Sequence, residues 1–218
     1  MPAGGFPSPN FSERRDEARP DLIVIHYTAM PTCAEARDRL CDPSSEVSAH
    51  WLIAEDGTVE QLVHEAMRAW HAGAGAWAGV SDVNSRSIGI ELANPGDAPF
   101  PEQQMAALER LLPEIMARWN IPPERVIGHS DMAPERKRDP GPRFDWRRLA
   151  LQGLAHWPEG EGDSAIPLLT SLAALGYPDA APDALLQAFR LRFRPWATGD
   201  ETAEDRALAD AAAHVRRA

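Results

Sequence analysis

The sequence predicts an α/β protein: a mixed central β-sheet covered by helices, followed by a small three-helix bundle. Three observations carry that expectation. Short apolar runs at Leu22–Ile25, Ser87–Leu92 and Val126–Ile127 alternate with stretches of helical periodicity, the pattern of a sheet with helices packed on it. The stretch Pro158-Glu159-Gly160-Glu161-Gly162-Asp163 has the composition of a linker. Beyond it only helical patterns remain. A chain of 218 residues can hold one sizeable core and a smaller second unit, so the expected division is 1–157, a linker at 158–163, and 164–218.

Taken in order, residues 1–20 read as an irregular arm laid over the first unit. Leu22-Ile23-Val24-Ile25 is apolar without alternation, as in a strand buried on both faces, and it ends in His26. Thr32 followed by Glu35 fits a capping box, predicting a short helix to about Leu40 that Asp42-Pro43 stops. Val47 to Ile53 reads as a strand carrying His50, and Asp56-Gly57 as a hairpin turn into Thr58–Val63. Residues 65–86 read as loop, with Trp70, His71 and Trp77 among glycines, and exposed aromatics on loops make natural binding surfaces. Ser87–Leu92 is a further strand, interrupted by Glu91, whose carboxylate needs a cation, a donor or a metal-associated water if it is buried.

Apolar residues at 105, 108, 111, 112, 115 and 119 have the spacing of an amphipathic helix over 101–120, with Pro101 near its start and Pro113 as a kink. Val126 and Ile127 then deliver His129 to a strand end, and a loop held by Pro134, Pro140 and Pro142 carries Lys137 and Asp139. A helix over 145–154 closes the first unit. In the tail, helices are expected over 166–175, 182–193 and 201–216, with Leu168, Leu169, Leu172, Leu175, Leu185, Leu186, Phe189, Phe193 and Leu208 as their core.

Composition narrows the function. A net charge of −11 argues against nucleic acid or an anionic membrane as partner, since both recruit basic surfaces. The two cysteines, Cys33 and Cys41, are too few for a disulfide scaffold and wrongly spaced for a Cys-x-x-Cys site, so they are expected as small buried residues. The first 21 residues lack the apolar stretch of a signal peptide and no run is long enough to cross a bilayer, which leads to the expectation of a cytoplasmic protein, acting as a monomer. A lone histidine on a strand is more often a core residue than a ligand. His26, His129 and Asp139 together, however, make a set of two imidazoles and one carboxylate that suits Zn2+ with an open fourth position.

Five sequence words surround these residues: Ile-His-Tyr-Thr at 25–28, Ser-Ala-His-Trp-Leu-Ile at 48–53, Ala-Trp-His-Ala-Gly at 69–73, Ser-Ile-Gly-Ile-Glu-Leu at 87–92 and Gly-His-Ser-Asp at 128–131, with Lys-Arg-Asp closing the loop at 137–139. In this order they resemble the type 2 N-acetylmuramoyl-L-alanine amidases, zinc enzymes related to peptidoglycan recognition proteins. The resemblance runs from about Pro9 to Leu154. It implies His26, His129 and Asp139 as zinc ligands, Glu91 as the acid/base residue and Lys137 as the cation facing the oxyanion. The structural alternative for Glu91 is a salt bridge, with Lys137 its natural partner, and for Lys137 a solvated loop charge in the run Arg136-Lys137-Arg138.

Tyr27, His50, Trp51, His71, Asn84, Arg86 and Asn94 are candidates for lining the groove or meeting peptide carboxylates. The tail words Leu-Gly-Tyr at 175–177 and Ala-Phe-Arg-Leu-Arg-Phe at 188–193 resemble a three-helix peptidoglycan-binding domain, departing from it at Arg190, where a glutamine is common. The implied substrate is a peptidoglycan fragment, an anhydro-muropeptide with its stem peptide, cut between N-acetylmuramic acid and L-alanine during wall recycling. Competing readings are an amidase acting on intact wall and a recognition protein that binds fragments without cutting them. The third is that the tail only packs against the first unit.

Overall fold

The computed structural model describes residues 7–214. The start of the arm and the end of the helix expected over 201–216 therefore fall partly outside the described residues. The arm enters as β1 (Phe11–Ser12), and the first long strand is β2 (Leu22–Tyr27). Helix α1 (Cys33–Cys41) follows, its first turn held by Thr32, whose hydroxyl accepts from the Glu35 N–H at 3.2 Å. Next come β3 (Trp51–Ile53), β4 (Val59–Gln61), β5 (Arg68–Ala69), the single turn α2 (Val83–Arg86) and β6 (Ser87–Leu92). The strand expected from Val47 is shorter than its apolar pattern because 47–50 leave the ladder. His50 still bonds to the sheet, its N–H reaching the Gly89 carbonyl at 3.0 Å. Residues 65–86, read as loop throughout, contain β5, which pairs antiparallel with β1, and α2.

The main sheet has the order β4-β3-β6-β2 and then β7 (Val126–Gly128). Strands β3, β6, β2 and β7 run parallel, and β4 closes one edge antiparallel to β3. Parallel strands are normally covered on both faces, and here the alternation of β6 shows how. Ile88, Ile90 and Leu92 face a core that also holds Ile23 and Ile25 of β2. Helix α3 (Glu102–Trp119) covers that face through Met105, Leu108, Leu111, Leu112 and Ile115. It runs unbroken through Pro113: the missing N–H and ring clash cost about 3 kcal/mol in a helix interior, and this apolar face, at ~1.5–3 kcal/mol per buried aliphatic side chain, outweighs them. Asn120 ends it in a left-handed conformation at φ 55°.

Beyond β7 come α4 (His129–Met132) and α5 (Trp146–Ala150), and then the tail helices α6 (Leu168–Leu175), α7 (Pro182–Phe193) and α8 (Ala203–His214). Leu22 and Val24 of β2 point to the opposite face of the sheet from α3 and join one apolar cluster with Ile127, Met132 and the tail's Leu168, Leu172, Leu175, Leu185, Leu186, Phe189 and Phe193. The tail helices thus cover the second sheet face. Two expected core members differ: Leu169 is 43 % exposed and Leu208 is only half-buried against the cluster. Cys33 and Cys41 are free and half-buried, packed beside Leu40, Leu52 and Leu62.

Candidate metal centre

Parallel strands place their carboxyl ends at one edge of the sheet, the usual position of a site in such folds. Here His26 is the last residue but one of β2, Glu91 the last but one of β6, and β7 runs directly into His129, the first residue of α4. Register sets His26 and Glu91 side by side, on the face opposite α3. The loop after α4 then folds back, the Ser130 N–H bonding to the Asp139 carbonyl at 2.9 Å, and brings the Asp139 carboxylate between the two imidazoles. His26 Nδ1 lies 2.9 Å from His129 Nδ1 and 2.9 Å from Asp139 Oδ2, and His129 Nδ1 lies 3.0 Å from the same oxygen.

These three atoms form a near-equilateral triangle whose sides approach the edge of about 3.3 Å expected in a tetrahedron with Zn–N bonds near 2.05 Å. Burial, then the neighbouring His129, pushes His26 down to about 4. Burial works to raise Asp139, but hydrogen bonding from His129 and His26 holds its carboxyl well below the usual range. A neutral imidazole and an ionised carboxylate are the protonation states in which these groups coordinate a cation. The donor set fits a metal.

Each imidazole is oriented through its other nitrogen, as ligating histidines generally are. His129 Nε2 donates to the Ala72 carbonyl at 2.9 Å, an acceptor that also takes Arg136 Nη2 at 2.6 Å. His26 Nε2 meets His71 Nδ1 at 3.0 Å, His71 Nε2 meets Ser87 Oγ at 3.1 Å, and the Ser87 hydroxyl donates to the Val83 carbonyl at 2.6 Å. His71 lies over Gly89, where a Cβ would come within 2.5 Å of its ring. Ser87, Gly89 and Glu91 alternate along β6 on the site face. The glycine makes room for the ring, the serine anchors it, and the glutamate faces the cavity.

Glu91 is half-buried, yet its Oε2 is shielded from solvent without a hydrogen-bond partner among the described residues. Burial, aided by Asp139 and opposed by Lys137, pushes its carboxyl up to about 8. No ion pair joins it to Lys137 among the described residues, so the salt bridge is not formed. A cavity of about 410 Å³ opens here, lined by His26, Tyr27, His71, Trp70, Glu91, His129 and Asp139 and by four cations, Arg39, Arg136, Lys137 and Arg138. Against a chain charge of −11, this lining is locally basic.

Of the residues expected to line the groove, Tyr27 and His71 do, His71 also as the partner of His26. His50 does not: it is fully buried, its Nδ1 accepting from the Gly89 N–H at 2.9 Å and its Nε2 donating to the Met67 carbonyl at 3.0 Å. The Trp51 indole is turned away to Glu65 at 2.9 Å. Asn84 acts from behind, its Oδ1 accepting from the N–H groups of His71 and Ala72 at 3.0 and 2.8 Å. Arg86 pairs with Asp21, and Asn94 folds its own loop by accepting from the Gly96 N–H. Trp77, expected as an exposed aromatic, is buried edge-on against Tyr177.

Sequence reading missed Arg14 and Arg136. Arg14 donates to the carbonyls of Asn84, Ser85, Glu65 and Ser87, tying the arm beneath the site. Both look like surface charges in a sequence, because what they hold is backbone.

A family model described as N-acetylmuramoyl-L-alanine amidase matches residues 16–142, the span that carries the sheet and every residue of the triangle. The chain therefore belongs to that family of amide hydrolases, a class consistent with the metal-competent triangle and the adjoining carboxyl. Among individual relatives, N-acetylmuramoyl-L-alanine amidase AmiD of Escherichia coli (strain K12) is 38 % identical over 230 residues, covering 87 % of this chain and 81 % of its own. The 1,6-anhydro-N-acetylmuramyl-L-alanine amidase AmpD of Enterobacter cloacae is 36 % identical over 160 residues, covering 66 % of this chain and 86 % of its own. The solved complex of Escherichia coli AmiD with the substrate anhydro-N-acetylmuramic acid-L-Ala-D-gamma-Glu-L-Lys superposes with a TM-score of 0.82 at 35 % identity, covering 99 % of this chain and 92 % of that one.

Proposed function

We propose that this amidase is a zinc enzyme that cuts the bond between N-acetylmuramic acid, in its 1,6-anhydro form, and the L-alanine of soluble peptidoglycan fragments released for recycling. The observation that carries the reading is the triangle of His26 Nδ1, His129 Nδ1 and Asp139 Oδ2 beside the unpartnered Glu91 Oε2. Zinc, when held there, supplies Lewis acidity to the scissile carbonyl and to the attacking water. The chain does the rest. Glu91 takes the proton of that water and returns it to the departing alanine nitrogen, a task suited to a carboxyl pushed up towards neutrality. Lys137 faces the carbonyl oxygen as it gains negative charge, worth a few kcal/mol for a preorganised donor.

The basic lining suits the carboxylates of a stem peptide, and the anhydro sugar is taken from the substrate of the AmiD complex. All these residues come from one chain, so a monomer suffices. In this reading residues 1–157 catalyse and 164–218 form a second, three-helix domain that supports them across the linker. The cytoplasmic placement belongs to the same reading, since soluble fragments are what a recycling enzyme meets; no helix among the described residues is long and apolar enough to cross a membrane.

The test is mass spectrometry of products from soluble anhydro-muropeptides and, separately, from insoluble sacculi. Release of stem peptide from the soluble substrate alone is expected. Release from sacculi at a comparable rate would overturn the recycling assignment, and release from neither would overturn the reading altogether. Alongside, Glu91→Gln should keep zinc and lose turnover about 10²–10⁴-fold, whereas Asp139→Ala should lose both.

A further inference from the structure

His129 is held from behind by residues that the chemistry does not use. Asp131, two positions on and 1 % exposed, accepts three hydrogen bonds. Its Oδ2 takes the Gly128 N–H at 2.8 Å and Arg192 Nη1 at 3.0 Å, and its Oδ1 takes the Tyr177 hydroxyl at 2.7 Å. The first bond closes the start of α4, the helix on which His129 rides. The other two arrive from the tail, across sequence separations of 61 and 46 residues. With a donor on each oxygen the carboxylate cannot rotate, and its charge is matched in a buried place by one guanidinium. Arg192 is itself pinned, lying 4.3 Å over the Trp146 ring and donating to the His156 carbonyl at 3.3 Å.

The same corner of the tail grips the second support of His129. The Ala78 N–H bonds to the Gly176 carbonyl at 2.8 Å, the Ala76 N–H to the Met132 carbonyl at 2.9 Å, and Tyr177 packs edge-on against Trp77 at 5.2 Å. The loop whose Ala72 carbonyl fixes His129 Nε2 is therefore fastened to α4 and to the tail together. His26, by contrast, is oriented through His71 and Ser87, both in the first unit.

We infer that Tyr177 and Arg192 are positioning residues for His129: through Asp131 they hold the angle of one imidazole of the metal triangle, so the tail is a working part of the catalytic centre. The inference rests on the zinc reading above. Without Arg192 the Asp131 charge is left buried against two neutral donors, and the rearrangement or entry of water that relieves it loosens its hold on the Gly128 N–H. Partners bonded directly to a ligand commonly govern metal affinity by about 10–100-fold, and residues one contact further out are expected at the lower end of that range.

The test uses the full chain with Tyr177→Phe, Arg192→Lys and, as a control, Leu172→Ala, which weakens the same tail packing without touching Asp131. Zinc release into a chelator, kcat, KM and melting temperature are measured, with the ring nitrogens of His26 and His129 followed by NMR in the metal-free protein. Tyr177→Phe and Arg192→Lys should release zinc on the order of tenfold faster and lose kcat at unchanged KM. His129 signals should move more than those of His26, which touches that ring at 2.9 Å, and Leu172→Ala should melt lower yet keep its zinc. Unchanged zinc release in both variants, or equal loss in Leu172→Ala, would overturn the inference. If the unmodified chain holds no zinc, the zinc reading fails by itself, and the His129 signals still decide whether the tail positions that ring.

Discussion

His50 illustrates how burial changes what a histidine can do. Fully enclosed, with both ring nitrogens engaged, it is pushed down to about 3 by burial and then by the Arg14 guanidinium, whose Nη2 lies 3.2 Å away. Its ordinary value is 6.5. Above that pH the ring is neutral whether the chain is folded or not, and nothing is gained or lost. Below it the unfolded chain binds a proton that the folded chain refuses, so stability falls with pH by up to about 1.4 kcal/mol per unit, down to the folded value. His26 and His71 act with the same sign, and Glu91, pushed up to about 8 from 4.5, acts with the opposite sign between those limits. The metal-free protein should therefore lose stability between pH 6.5 and 5. In denaturant titrations across that range, His50→Gln should reduce the slope by about one proton's worth; an unchanged slope would show that His50 already titrates normally in the fold.

At the scale of the element, β6 joins core and site by alternation alone. One side of the strand, Ile88, Ile90 and Leu92, is core; the other, Ser87, Gly89 and Glu91, builds the centre. Gly89→Ala should leave the core face in place and drive a Cβ into the His71 ring, which must then give up its contact with His26. The expected result is a loss of zinc affinity of about tenfold or more at modest cost in melting temperature, read by chelator competition; retained affinity would mean that His71 is not needed to orient His26. The strands were readable because a doubly covered strand is apolar along its length. Residues 65–86 were not, because β5 and α2 are short and held by Asn84 and Arg14 through backbone groups, leaving no periodic trace.

At the scale of the whole molecule, α6, α7 and α8 share one apolar cluster with Leu22, Val24, Ile127 and Met132. A chain cut after Gly160 should expose that sheet face, melt lower than the full chain and aggregate on warming, as light scattering and a thermal melt would record; an unchanged melt would show that the face is stable uncovered. Arg190, at the position where the resemblance of the tail led to the expectation of a glutamine, is engaged inside the tail, its guanidinium paired with Asp205 at 2.6 Å and bonded to the Gly199 and Asp200 carbonyls. The sequence by itself determined the buried strands β2, β6 and β7, the amphipathic α3, the tail helices and the words around His26, Glu91, His129 and Asp139, because apolar period and motif are properties of neighbouring residues. Only the tertiary structure decided that His50, Trp51 and Trp77 turn inward, that His71 stands behind His26, and that Asp131 is gripped by Tyr177 and Arg192. Each of these depends on which polar groups meet across tens of residues once the core has closed, and spacing along a chain carries no record of it.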